Sequence, residues 1–197
     1  MFSFYSFSKA TIYSLLFIIL TACTSTVPKR VDVKSSKSIE YWYLLGNVVI
    51  LTPDEKNSAM LVWDKQPEEI SMELISPLGT TLMALKQQKQ NATLTFDGKE
   101  FTSNNIDTLI YERTGWRIPF HKMETWMKGY PTKGDHITSK DADGNIQKMQ
   151  SVHDNQLWQI EYHSWHTLSG AKMPFRMTIK HHDIKIKLRI DDWIPRI

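Results

Sequence analysis

Residues 184–191 read IKIKLRID, and the fold turns on how this stretch is read. Ile184, Ile186, Leu188 and Ile190 share one face of an extended chain, while Lys185, Lys187 and Arg189 share the other. Strict alternation is the period of a strand with one buried and one solvated face, as in antiparallel sheets. The same period recurs along the chain. MPFRMTIK (173–180) groups Met173, Phe175, Met177 and Ile179; LWQIEY (157–162) groups Trp158, Ile160 and Tyr162; EEISMEL (68–74) groups Ile70, Met72 and Leu74. YWYLLGNVVIL (41–51) is apolar on both faces and reads as a central strand. SAMLVW, TTLMALK, ATLTF and IQKMQSV supply further strands, and DADGN (141–145) suits a hairpin turn. About ten or eleven short strands predict a mainly β domain whose sheet must curl.

Two stretches break the period. NNIDTLIYERTG starts with an Asn cap, places Ile106, Leu109, Ile110 and Arg113 at helical spacing, and ends at Gly115. PFHKMETWMKG runs from Pro119 to Gly129, with Phe120, Met123 and Met127 on one side and Trp126 beside them. Two short amphipathic helices must lay their apolar faces on something, and the inner side or mouth of a curled sheet is the place available. Phe120, Met123 and Met127, with Met72 and Leu74 from the strand at 68–74, are the candidate lining of an apolar cavity. Methionine suits such a lining because its side chain is flexible.

Residues 75–80 read ISPLGT. Ser76, Pro77 and Gly79 fit the first, second and fourth positions of a type I turn. The third position falls to Leu78, a leucine at a turn tip that faces water.

The N-terminus has the form of a secretory signal. Lys9 is the only charge before an apolar run from Ile12 to Leu20, which is short of the ~20 residues a spanning helix needs. LTAC (20–23) ends it and resembles the bacterial lipobox. That resemblance implies cleavage after residue 22, then diacylglycerol and an N-acyl chain on Cys23. Cys23 is the only cysteine, so no intramolecular disulfide can form. Thr24, where an aspartate marks retention in the inner membrane, implies the outer membrane. The expected organisation is a signal peptide at 1–22, a lipidated N-terminus and tether at 23–40, and one domain at 41–197. Residues 24–38 are polar, contain a proline, and read as a flexible tether.

With 24 basic and 21 acidic residues the net charge is +3, too balanced to argue for nucleic acid. There is no G-x-S-x-G elbow and no Gly-rich phosphate loop. His163 and His166 in HSWH would point to opposite faces of a strand, and HHD (181–183) reads as a polar turn, so no metal site is expected. A lipid-anchored hydrolase using scattered Asp, Glu and His, or a structural lipoprotein, stays open as an alternative. No cofactor is expected, and a monomer is.

LISPLGTTLMAL (74–85), TGWRIPFHKMETWMKG (114–129) and KMPFRMTIKHHDIKIKLRIDDWI (172–194) together resemble the LolB family of outer-membrane lipoprotein receptors. The resemblance runs from about Trp42 to Ile194. It implies an unclosed antiparallel β-barrel covered by α-helices, with a hydrophobic cavity for the acyl chains of a client lipoprotein. It implies a periplasmic carrier, LolA, as the partner that hands the client over, and delivery into outer-membrane lipid. The family's protruding membrane-inserting residue corresponds to Leu78. Family members carry a longer N-terminal helix before the first strand. Here only SSKSIE (35–40) precedes Tyr41, so that lid is expected to be shortened.

Overall fold

The strand that is apolar on both faces, β1 (Tyr41–Leu51), lies at the centre of the sheet. In the computed structural model, which describes residues 32–196, every second β1 residue is buried and those between are half-buried. Signal residues 1–22, Cys23, Thr24 and the first part of the expected tether lie outside the described residues.

Five strands follow β1 outward in chain order: β2 (Lys56–Lys65), β3 (Glu69–Ile75), β4 (Thr81–Gln88), β5 (Asn91–Phe96) and β6 (Lys99–Ser103). The chain then makes helices α1 (Ile106–Thr114) and α2 (Phe120–Met127). It returns through β7 (Asp135–Lys140), β8 (Ile146–His153), β9 (Gln156–Leu168), β10 (Ala171–His181) and β11 (Ile184–Arg196). The sheet order is β6-β5-β4-β3-β2-β1-β11-β10-β9-β8-β7, with antiparallel pairings throughout. The expected unclosed antiparallel barrel of eleven strands is therefore the observed architecture. The two helices connect its two free edges.

Nine strands coincide with stretches that read as strands in the sequence. β6 (KEFTS) and β7 (DHITSK) do not alternate, and they are the two edge strands. Edges are solvated on more sides, so no pattern is forced on them, and polar residues and bulges there discourage pairing between molecules. His181, expected in a polar turn, is instead the buried last residue of β10. Its ring stacks on Trp158 at 4.6 Å, and Nδ1 lies 3.0 Å from the Leu157 carbonyl.

Antiparallel order fixes two ends. The turns 52–55, 76–80, 97–98 and 182–183 lie at one end, and the turns 66–68, 89–90 and 169–170 at the other. The N-terminal segment docks at this second end. Val33 donates to the Ser169 carbonyl at 2.7 Å, Ser36–Ser38 form one 3-10 turn, and Ile39 is buried. The part of the expected tether after residue 32 is thus packed onto the domain, and the short turn stands where a longer lid helix was expected to be reduced.

Candidate functional site

The helices are placed by their ends. Asn105 caps α1, its Oδ1 accepting from the Thr108 amide at 3.0 Å, and Gly115 closes it in the left-handed region at φ 73°. Pro119 offers no side chain to cap α2. Asp107, in the first turn of α1, accepts from the Phe120 amide at 3.0 Å and does that work from the neighbouring helix. At the other end of α2, Lys128 Nζ donates to the Ile39 carbonyl at 2.9 Å. Glu124 pairs with Lys65 and, at 3.7 Å, with Lys128. Burial holds the Lys128 ammonium below its usual range, with Glu124 partly offsetting this. Lys122 pairs with Asp135 at 3.0 Å, tying α2 to β7. Burial alone would raise the Asp135 pKa. The neighbouring Ser151 hydroxyl and hydrogen bonds from Thr132 and Lys122 outweigh it and hold the carboxyl below its usual range.

Between these anchors and the sheet lies a cavity in two adjoining parts that share wall residues. The inner part, about 50 Å³, is walled by apolar side chains alone, among them Val48, Ile50, Leu61, Met83, Trp116 and Ile118. The outer part, about 960 Å³, shares Val48, Ile50, Leu74, Met83 and Trp116 with it and opens to solvent. Thr52, Glu55, Thr80, Asp97 and Gly98 ring the opening. These residues belong to the turns at one end, so the mouth opens there, away from the docked N-terminal segment. Trp63 and Phe120 line the inner part. Their rings lie 4.8 Å apart, and Trp42 and Trp193 continue the cluster at 5.2 and 4.8 Å, edge to face. Such rings bury large apolar areas and fix one another's orientation, and they form a floor.

Met72, Leu74, Phe120 and Met123 are brought together in the inner wall. Met127 is not: it is fully buried and stands outside that wall. It belongs to the hydrophobic core, and helical spacing alone could not distinguish the core side of the helix from the cavity side. Trp116 and Ile118 were missed. They lie in the irregular link between the helices, where periodicity gives no signal. The usable signal was two large apolar residues between a helix-closing glycine and a proline.

Leu78 is 94% exposed. Its turn is closed by the Gly79 amide donating to the Ser76 carbonyl at 2.9 Å, and Ser76 Oγ accepts from the Thr80 amide at 3.1 Å. Gly79 takes φ 84°, the left-handed region that glycine enters without strain. Thr80, Thr81 and Leu82 of the same hairpin form part of the mouth, so the exposed leucine stands on its rim. His163 and His166 engage separate partners, Thr178 Oγ1 at 2.8 Å and the Phe175 ring at 4.0 Å.

The family described as outer membrane lipoprotein LolB matches residues 40–193. The outer-membrane lipoprotein LolB of Shewanella oneidensis is 31% identical over 192 residues, covering 95% of this chain and 88% of its own length. That of Shewanella denitrificans is 30% identical over 178 residues, covering 89% and 88%. Among solved structures, a LolA-superfamily protein from Nitrosomonas europaea shares the fold with a TM-score of 0.53 at 9% identity, covering 83% of this chain and 91% of its own.

Proposed function

The chain belongs to the LolB family of outer-membrane lipoproteins, and from that premise we propose that it receives acylated lipoproteins and passes them into the outer membrane. The observation that carries the reading is the apolar two-part cavity under the helices, open at one end. Acyl chains are recognised by their methylenes, each worth about 0.8 kcal/mol when removed from water. A cavity of this kind binds chains and is indifferent to the client's sequence. The inner part is too small for a chain, so the chains lie in the outer part and extend inward as Met123 and Trp116 move aside. Methionine, unbranched and flexible, is suited to that.

The soluble carrier LolA supplies the client. Lipid on Cys23 holds the receptor at the membrane, because several acyl chains anchor durably where one does not. Leu78 meets the bilayer at the mouth, giving the chains a dry exit. Met72, Leu74, Phe120 and Met123 line the chain path, and Met127 supports it from behind.

The test is mass measurement of the unlipidated domain after incubation with carrier-bound lipoprotein. A stable complex containing the acylated client is expected, and Cys23→Ala should leave client uptake unchanged. Failure to bind acylated protein while the fold is intact would sink the reading.

A further inference from the structure

We propose that the groove on the convex face of β9, β10 and β11 binds the head groups of anionic phospholipid in the anchoring bilayer. The groove, about 530 Å³, is lined by Arg176, Lys180, Lys185, Lys187 and Arg189. Lys180 sits directly opposite Lys185, and Arg176 directly opposite Arg189, in the pairing of β10 with β11. Like charges facing each other across strands destabilise a sheet, so the fold gains nothing from this arrangement. Only part of it is neutralised. Glu161 holds Lys180 at 3.1 Å, and Asp191 holds Arg189 at 2.7 Å. Lys185 and Lys187 are exposed and make no hydrogen bond or ion pair among the described residues. The groove presents cations to a polyanion.

Two observations select a membrane over an acidic protein. The first is sidedness. The groove lies on the opposite face of the sheet from the cavity, since Ile186 and Leu188 point inward between the outward Lys185, Lys187 and Arg189. A carrier that passes chains must face the mouth, which leaves the convex face free. This step rests on the receptor reading above.

The second is the length of chain outside the structure. Nine peptide units separate Cys23 from Asp32, and Val33 is docked at the end of the sheet away from Leu78. A relaxed segment of that length reaches about 17 Å. β1 has eleven residues, and at ~3.3 Å per residue the sheet is about 35 Å long. A domain standing upright on Leu78 would ask for more than the segment's full extent of about 30 Å. Leaning on a flank brings the docked end and the Leu78 end toward one surface. The cationic flank, which reaches the Leu78 end at Lys185, is the one an anionic surface attracts.

The test uses the Cys23→Ala chain, secreted behind a cleavable leader so that it keeps every described element and no lipid. It is sedimented with phosphatidylcholine vesicles, with and without phosphatidylglycerol, across a salt series. Binding is expected to the anionic vesicles, to fall as salt rises, and to drop about tenfold or more in Lys185→Glu/Lys187→Glu. Lys99→Glu/Lys140→Glu makes the same change in net charge on the two edge strands and should lose no more than about twofold. Equal loss in that control, or binding indifferent to vesicle charge, overturns the proposal. So does a groove variant that binds anionic vesicles normally but takes clients poorly from the carrier, since the groove would then face an acidic protein. No client enters the vesicle assay, so its failure is distinct from failure of the receptor reading, which the mass measurement decides.

Discussion

One sheet covers two different interiors. Under β8–β10 the space is filled. Trp126 lies 5.9 Å from Trp158, Tyr162 donates its hydroxyl to the Trp126 carbonyl at 2.8 Å, and Met149, Ile160, Met173 and Met177 are all buried. Burial pushes the Tyr162 phenol far up, so it stays a donor at any ordinary pH. Under β1–β5 the same inward alternation lines a cavity. Helix α2 spans the two. Its C-terminal half is fixed by Trp126, Met127, Lys128 and Glu124, while Phe120 and Met123 in its N-terminal half overhang the cavity. The difference teaches how a hollow protein keeps a unique fold: rigidity is concentrated on one side, and the other side is left free to be filled by a ligand.

The sharpest way to break that comparison is Trp126→Ala. Removing a fully buried tryptophan from a packed region should cost about 3–5 kcal/mol, read as a shift in the denaturant midpoint. A cost below about 1 kcal/mol would mean that the β8–β10 side is as loosely filled as the other.

A smaller effect is expected from acid. Asp135, with a side chain wholly shielded from solvent, is held ionised by its hydrogen bonds and by Lys122. Its pKa is lower folded than unfolded, so its stabilisation is complete above the ordinary carboxylate value of about 3.9 and disappears as pH falls through the lower folded value. Asp135→Asn should be less stable by about 1–3 kcal/mol near neutrality, and the gap should close in strong acid. A gap that is constant with pH would remove the carboxylate from the clamp on α2.

Met123→Asp probes the hollow side. Met123 is half-buried, so a carboxylate there can turn toward water, and folding should lose only about 1 kcal/mol. Client uptake should fall far more than stability, because chains would have to pass a charge. Unchanged uptake in a folded variant would place the chain path elsewhere.

How much of this the sequence disclosed follows from the same asymmetry. Alternation in IKIKLRID and its relatives revealed the strands, because every strand with one side on the interior must alternate. Alternation cannot say whether the inward side meets protein or empty space. Met72 and Met177 carry the same sequence signal, yet one lines the cavity and the other is packed under β10. The edge strands β6 and β7 were silent because neither face is forced to be apolar. The burial of Glu124 and Lys128, i and i+4 at the end of α2, leaves no mark in the sequence, because their partners Lys65 and the Ile39 carbonyl lie far along the chain. Leu78 was legible because turn chemistry is local: Ser, Pro and Gly at their positions leave the third residue no place inside.

Leu78→Glu is the finest probe, since its expected effect on folding is the smallest. A buried leucine cut to alanine costs about 2–5 kcal/mol, but a side chain 94% exposed has almost nothing to lose. The turn does not depend on it either, being closed through Ser76, Gly79 and Thr80. Thermal unfolding should therefore be unchanged for Leu78→Glu. What should change is the last step of transfer. Burying one leucine in lipid is worth only about 1.5–3 kcal/mol, too little to hold a protein at a membrane but enough to press one side of the mouth into the acyl region. A carboxylate will not enter that region. The variant should take labelled lipoprotein from the carrier at the normal rate and release little of it to vesicles, while Leu78→Phe should behave as the native chain. Normal release with glutamate at the tip would separate the rim leucine from delivery. A large fall in melting temperature would place Leu78 in the packed side of the molecule, where its exposure says it does not belong.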